Sequence, residues 1–179
     1  IQNRRNVLIY GASGAIGTMA VQLAKYYGAE VTAVCSGRNA ELVRSLGADH
    51  VIDYKREDFT QNGERYDVIL DILGKSSFAQ VKHSLTDKGV YMRASFKMKQ
   101  VFQMLRTSLW GKKKVITALA FDSQADLEQI RELVEAGVFT TVIDRCYPLA
   151  QAADAHHYVE TGQKQGEVVI AIRDDEHDA

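Results

Sequence analysis

The chain is poor in proline, cysteine and net charge. It has 179 residues, one proline and two cysteines, and its 22 basic and 23 acidic side chains leave a net charge of −1 at pH 7. Each scarcity excludes something. Cys35 and Cys146 stand far apart with no C-x-x-C, which argues against a disulfide framework and against a cysteine-rich structural zinc site. A reducing, cytoplasmic setting is the expectation. Balanced charge implies no general affinity for nucleic acid or for an anionic membrane. The one compact basic run, Lys112-Lys113-Lys114, reads as a solvated strand entry. The apolar stretch 115–121 is far too short to span a bilayer. No signal peptide and no G-x-S-x-G elbow are visible, so a serine hydrolase is not indicated.

What the chain does have is concentrated near its start. Val7-Leu8-Ile9-Tyr10 runs straight into Gly11-Ala12-Ser13-Gly14-Ala15-Ile16-Gly17. Strand-forming residues, a glycine-rich turn and a helix-period segment follow in that order. A dinucleotide diphosphate needs this arrangement: the turn lets backbone approach, and the new helix presents unpaired N–H groups and its positive dipole end. The spacing is Gly11-x-x-Gly14-x-x-Gly17, with Ala12 where the usual fingerprint has its first glycine. Bulkier residues at Gly14 or Gly17 are expected to hold the backbone away or to spoil the helix–strand contact. Ile16, Ala20, Leu23, Ala24 and Tyr27 recur at helical spacing and are expected to pack on a sheet, with Gly28 as the left-handed cap.

A βαβα rhythm runs on from there. Strands are expected at 30–35, 50–53, 66–71, 89–92 and 115–119. Asn39 is placed to cap a helix that buries Leu42, Val43 and Leu46 and stops at Gly47. Residues 55–65 read as a loop or short surface helix, 74–85 as a turn and helix, and 98–110 as helix. Ser123-x-x-Asp126 starts a helix expected to bury Leu127, Ile130, Leu133 and Val134 before Gly137. Alternation of this kind predicts an α/β, doubly wound parallel sheet with helices on both faces, a Rossmann fold. Residues 140–147 then read as a further strand broken by Pro148, 150–160 as a helix, and 166–172 as a last strand. These are too many for a minimal six-stranded unit and look like part of another sheet.

The end of the second strand bears on nucleotide choice. An NAD enzyme commonly places an acid there, about twenty residues after the glycines, to bond the ribose 2′-OH. This chain has Ser36-Gly37-Arg38 instead. A small hydroxyl, open backbone and a guanidinium suit a 2′-phosphate, so NADP(H) is the expected cofactor. Arg38 also reads as a solvated loop residue, and Asn39 as merely a cap.

Taken together, Gly11 to Gly17, Ala20-Val21-Gln22-Leu23-Ala24-Lys25, Cys35-Ser36, Leu46-Gly47-Ala48-Asp49 and Val51-Ile52-Asp53-Tyr54 resemble the zinc-independent medium-chain dehydrogenase/reductases, quinone oxidoreductase-like branch. Tyr66 to Asp71, Gly89-Val90-Tyr91, Tyr147-Pro148-Leu149 through His156, and Gly166-Glu167-Val168-Val169-Ile170 extend the resemblance over nearly the whole chain.

The resemblance implies a GroES-like catalytic domain followed by a Rossmann domain. On that basis 1–139 is expected to be the NADP(H)-binding domain, 140–172 a carboxy-terminal segment of a mostly absent catalytic domain, and 173–179 a disordered tail. Ser13, Gly14, Ala15, Ile16 and Gly17 would hold the diphosphate. Ser36, Arg38 and Tyr54 would surround the 2′-phosphate, although Tyr54 reads equally as a half-buried aromatic. Leu73 and Gly74 would border the adenine-ribose side. Ser95 and Phe96 would lie nearer the nicotinamide, with Phe96 also readable as core. The implied reaction moves hydride from NADPH to a quinone or conjugated carbonyl, a small-molecule substrate, and no catalytic residue is named. The implied oligomer is a homodimer through the sixth strand region.

Metal catalysis is not expected. His156 and His157 are adjacent and would point about 100° apart on a helix, unlike an i, i+4 zinc pair. Cys35 reads as a buried strand residue, and Asp67 and Asp71 as structural. Extended short-chain dehydrogenases share the glycine spacing but need Tyr-x-x-x-Lys, and none of the eight tyrosines has a lysine four residues on. The alternative function is a nucleotide-binding or scaffold module without turnover.

Overall fold

The computed structural model describes residues 5–94, 113–117 and 123–172. Its main sheet holds six parallel strands: β1 (Asn6–Tyr10), β2 (Glu30–Cys35), β3 (His50–Asp53), β4 (Tyr66–Asp71), β5 (Leu85–Arg93) and β6 (Lys114–Thr117). The strand order is 3-2-1-4-5-6. This is the expected doubly wound sheet, and the order reverses between β1 and β4, where open α/β sheets hold ligands.

The central strands β1, β2 and β4 are buried on both faces, which is why they read as nearly continuous apolar runs. Val7 and Ile9 of β1 join Val21, Ala24, Val31 and Val43 in one core. Leu8, between them, points to the other face and packs with Ile69, Val81, Leu85 and Tyr91. Successive Cβ atoms alternate, so one strand feeds two cores.

Helix α1 (Ala15–Tyr26) covers the first core with a face that includes the expected Ala20 and Ala24 but is turned away from Ile16 and Tyr27. Gly17, Thr18, Val21, Gln22 and Ala24 are buried, whereas Ile16 is 59% exposed and Tyr27 is also exposed. Gly28 (φ +74°) ends the helix as a left-handed cap, its N–H donating to Lys25 O at 2.8 Å. Helix α2 (Ala40–Ser45) buries Val43, while Leu42 and Leu46 are only partly covered. The stretch after β4 forms one short helix, α3 (Phe78–Val81), and β5 starts at Leu85, earlier than expected.

Lys113 is no mere solvated entry to β6. Its ammonium donates to the carbonyls of Lys82 and Leu85 at 2.6 and 2.9 Å, satisfying groups after α3. Helix α4 (Gln124–Glu135) begins as expected, the Asp126 N–H donating to Ser123 Oγ at 3.1 Å. Its apolar face is open, however. Only Leu133 is buried, Leu127 is 62% exposed, and Ile130 and Val134 are exposed as well.

Strands β7 (Ile143–Pro148) and β8 (Glu167–Ala171) pair in parallel as a separate two-stranded sheet, joined by α5 (Ala152–Glu160). Pro148 closes β7 opposite Ala171 and does not lie outside it. The expected helix at 98–110, residues 118 and 119 of the expected sixth strand and the tail 173–179 lie outside the described residues.

Candidate functional site

At the carboxyl end of β1 the chain turns at Gly11 (φ +95°) and enters α1. The N–H groups of Gly11 and Ala12 both donate to Val34 O, at 3.0 and 3.2 Å, which fastens the turn to β2. A Cβ at Gly17 would run into Gly11 O and lie 2.6 and 2.7 Å from the Ala12 backbone carbons. Only glycine lets α1 lie this close to the strand. Gly14 plays a different part. A Cβ there would meet only Gly11 O, at 3.6 Å, an ordinary contact. The ladder of α1 starts with Thr18 N–H donating to Gly14 O at 2.9 Å. Earlier N–H groups of the helix have no preceding turn to receive them, and the positive dipole end lies at the same place.

A cleft of about 570 Å³ opens beside this turn, across the carboxyl ends of β1, β2 and β3. It brings together Ser13, Gly14, Ser36, Arg38, Tyr54 and Leu73 of the expected residues. The others are placed differently. Ala15 and Ile16 line an apolar groove between α1 and α4 instead, with Met19, Leu23, Ile130 and Leu133. Gly17 is buried on the face of α1 that lies against the Gly11–Ala12 backbone. Gly74 (φ +65°) shapes the loop after β4, its N–H donating to Asp71 Oδ1 at 2.7 Å. Ser95 and Phe96 lie outside the described residues.

The cleft wall is cationic. Lys55, Lys75 and Lys164 line it with Arg38, and among the described residues no aspartate or glutamate does. The Lys75 ammonium lies 6.0 Å from the Tyr54 ring centroid. Sequence reasoning passed over these three lysines. Lys55 directly follows Tyr54 and Lys75 directly follows Gly74, so a cation beside each named residue was an available signal. Lys164 had none, because only the fold brings the loop before β8 to the cleft.

That loop is tied to the glycine turn at several points. Gly166 N–H donates to Ser13 O at 2.9 Å, and Gly14 and Gly166 form an isolated parallel bridge. Asn39 does not cap α2. Its buried side chain donates to Ser13 Oγ at 2.8 Å and accepts from Gln165 Nε2 at 2.7 Å. Arg38 donates to Gln163 Oε1 at 3.2 Å and to Gln163 O at 2.8 Å.

The remaining polar groups are structural. Asp71 is fully buried and accepts from the N–H groups of Gly74 and Ser76, from Ser76 Oγ at 2.6 Å and from Tyr91 OH at 3.1 Å. Burial, with the nearby Asp71 charge adding to it, pushes the Tyr91 phenol up to about 12. Cys35 is buried, and burial with the Asp53 charge pushes its thiol up to about 11, so it is no nucleophile. His156 and His157 are exposed on α5. Among the described residues no three His, Cys, Asp or Glu side chains are grouped to hold a metal ion. No described helix is long and apolar enough to cross a membrane.

A family model described as zinc-binding dehydrogenase matches residues 46–170. This chain belongs to the medium-chain dehydrogenase/reductases, on the quinone oxidoreductase-like branch. It is 32% identical over 172 residues to the chloroplast envelope quinone oxidoreductase homolog of Arabidopsis thaliana, covering 93% of this chain and 52% of that protein. It is 34% identical over 190 residues to the mitochondrial NAD(P)H oxidoreductase RTN4IP1 of Homo sapiens, covering 94% and 48%. Among solved structures it resembles the quinone oxidoreductase from Coxiella burnetii, with a TM-score of 0.85 at 26% identity, covering 97% of this chain and 54% of that one. The chain thus spans about half the length of the relatives it matches, and within the medium-chain dehydrogenase/reductases that half is the cofactor-binding portion.

Proposed function

We propose that this chain is the NADP(H)-binding part of an oxidoreductase that passes hydride from NADPH to a quinone or conjugated carbonyl. The observation that carries the reading is the cleft beside the glycine turn, whose β2 end offers Ser36 and Arg38 and whose wall is lysine-rich and free of described acids. A carboxylate at that place would favour a free ribose 2′-OH, whereas cations favour a 2′-phosphate.

The residues present fit such a cofactor. Open space at Gly14 leaves room beside the first amides of α1 for a diphosphate. On this reading Ser13 to Gly17 hold the diphosphate through backbone, with Gly17 acting from beneath as the packing residue. Ser36, Arg38 and Tyr54 surround the 2′-phosphate, with Lys55 and Lys75 adding charge. Leu73 and Gly74 border the adenine-ribose. Ser95 and Phe96 are assigned to the nicotinamide side. The bound nicotinamide supplies the hydride chemistry; this chain positions it and keeps water away.

The reading extends to the parts of the whole protein. Residues 1–139 form the cofactor domain, and 140–172, whose β7–β8 pair stands apart from the main sheet, belong with a GroES-like catalytic domain. Groups that touch substrate come largely from that domain, so this chain alone binds cofactor without turnover. The reaction is of the zinc-independent type and runs in the cytoplasm, in a homodimer joined along β6. The test is fluorescence titration of the chain with NADPH and NADH, followed by quinone reduction by the full-length protein. Tighter binding of NADPH supports the reading. Equal affinity would remove the role of Ser36 and Arg38, and binding without quinone reduction by the full-length protein would favour a nucleotide-binding module.

A further inference from the structure

Arg38 has an unusual partner for a surface arginine. Both of its terminal nitrogens donate to a single residue, Gln163, one to the side-chain oxygen and one to the backbone carbonyl. The two residues are 125 positions apart in sequence. Among the described residues Arg38 has no carboxylate partner, whereas its neighbours Arg44 and Arg56 pair with Glu41 and Asp53. The charge of Arg38 is therefore held in place without being neutralised.

Gln163 donates its own N–H to Thr161 Oγ1 at 3.3 Å, and the residues that follow it are tied on two sides. On one side Gln165 reaches Asn39, and Gly166 reaches Ser13 O. On the other, Gln165 N–H donates to Asp144 Oδ2 at 2.9 Å, and the same oxygen accepts from Tyr158 OH at 2.6 Å. The loop is thus anchored to the glycine turn, to β7 and to α5. An arginine held by a neutral, anchored acceptor keeps N–H donors free and its full charge available, so little ordering remains to be done when an anion arrives.

We propose that Gln163 is a positioning residue for cofactor choice: it holds the Arg38 guanidinium over the cleft so that a nucleotide 2′-phosphate meets a preorganised, uncompensated charge. The inference rests on the NADP(H) reading and adds to it that the loop before β8 completes the specificity site. It follows that the charge state at position 163 matters more than the presence of an acceptor there. A carboxylate would hold Arg38 at least as firmly and consume its charge.

The experiment is calorimetric titration of the 179-residue chain with adenosine 2′,5′-bisphosphate and with adenosine 5′-diphosphate, reading the ratio of the two affinities. Gln163→Ala is expected to lower the preference for the 2′-phosphate about fivefold, leaving 5′-diphosphate binding unchanged, because only the preorganised charge is lost. Gln163→Glu is expected to lower it further, about twentyfold, while circular dichroism melting stays that of the parent. A merely structural role would make the glutamate variant behave like the parent. A ratio within twofold of the parent in Gln163→Ala, or one that rises, overturns the inference while the cofactor reading stands. Failure of the parent chain to bind either nucleotide overturns both.

Discussion

Gln22 and Thr140 are joined by two reciprocal hydrogen bonds: the Gln22 amide donates to Thr140 O at 3.0 Å, and Thr140 N–H donates to Gln22 Oε1 at 2.7 Å. Gln22 is buried on α1, and the same amide nitrogen donates to Thr18 O at 3.1 Å. One side chain therefore replaces a stretch of sheet ladder for the segment that leaves α4. Gln22→Leu, which keeps most of the volume, leaves the Thr140 backbone groups unpaired. We expect it to lower stability by about 1–2 kcal/mol, the cost of losing two hydrogen bonds at a part-buried site. Urea unfolding would measure this; a loss below about 0.5 kcal/mol would mean that water reaches Thr140 freely.

The two glycines of the turn separate folding from binding. Gly17→Ala puts a methyl group into Gly11 O and the Ala12 backbone, which cannot yield as a flexible side chain can. It should cost about 3 kcal/mol or more and lower the melting temperature sharply. Gly14→Ala meets only an ordinary contact, so its melting temperature should match the parent. Its NADPH affinity should fall about tenfold, because the methyl group occupies the space beside the α1 amides. Unchanged NADPH binding in Gly14→Ala would count against the diphosphate placement.

Alkaline pH should destabilise the fold through two buried acids. Burial raises the Cys35 thiol from 9.0 to about 11 and the Tyr91 phenol from 10.0 to about 12. Both groups hold their protons more tightly in the folded chain. Their contribution is complete below pH 9 and is lost as pH rises through about 11 to 12. The Cys35 share is about 1–2 kcal/mol. Unfolding midpoints measured from pH 8 to pH 11 should fall, and Cys35→Ala should flatten the slope. At pH 8 a thiol reagent should label the exposed Cys146 and spare Cys35.

Among the described residues β6 is the last strand of the sheet order, and Ile116 on it is exposed. An apolar edge strand is a template for pairing with a second copy. Ile116→Lys should shift the chain from dimer to monomer by analytical ultracentrifugation without changing its melting temperature by more than about 2 °C. A parent chain that is already monomeric, or a variant with unchanged mass, would reject edge pairing.

The strands were legible because their cause is local. Val7 to Ile9, Val31 to Cys35 and Tyr66 to Asp71 are apolar runs buried on both faces, and their burial explains their composition. Helix faces were harder. Ile16, Leu127, Ile130 and Val134 recur with helical period, yet all are exposed here. Periodicity says which side chains share a face, and it is silent on what covers that face. Gly28, Gly47 and Gly137 were readable as caps because a left-handed residue is a local demand, and all three have positive φ. Asn39 shows the opposite case. Its position invites capping, but a long-range claim by Ser13 and Gln165 outweighs the local one. The Arg38–Gln163 contact left no trace in either neighbourhood, since it exists only once the chain has closed on itself.

That closure has a consequence for synthesis. The six main strands are all made before residue 118, yet the bond from Gly166 to Ser13 needs a segment translated long afterwards. A nascent chain can therefore assemble its parallel sheet on the ribosome while the nucleotide opening still lacks one wall. Termination between α4 and β8 would leave the six sheet strands without the loop of Gln163, Lys164 and Gly166, and so without one side of the cleft.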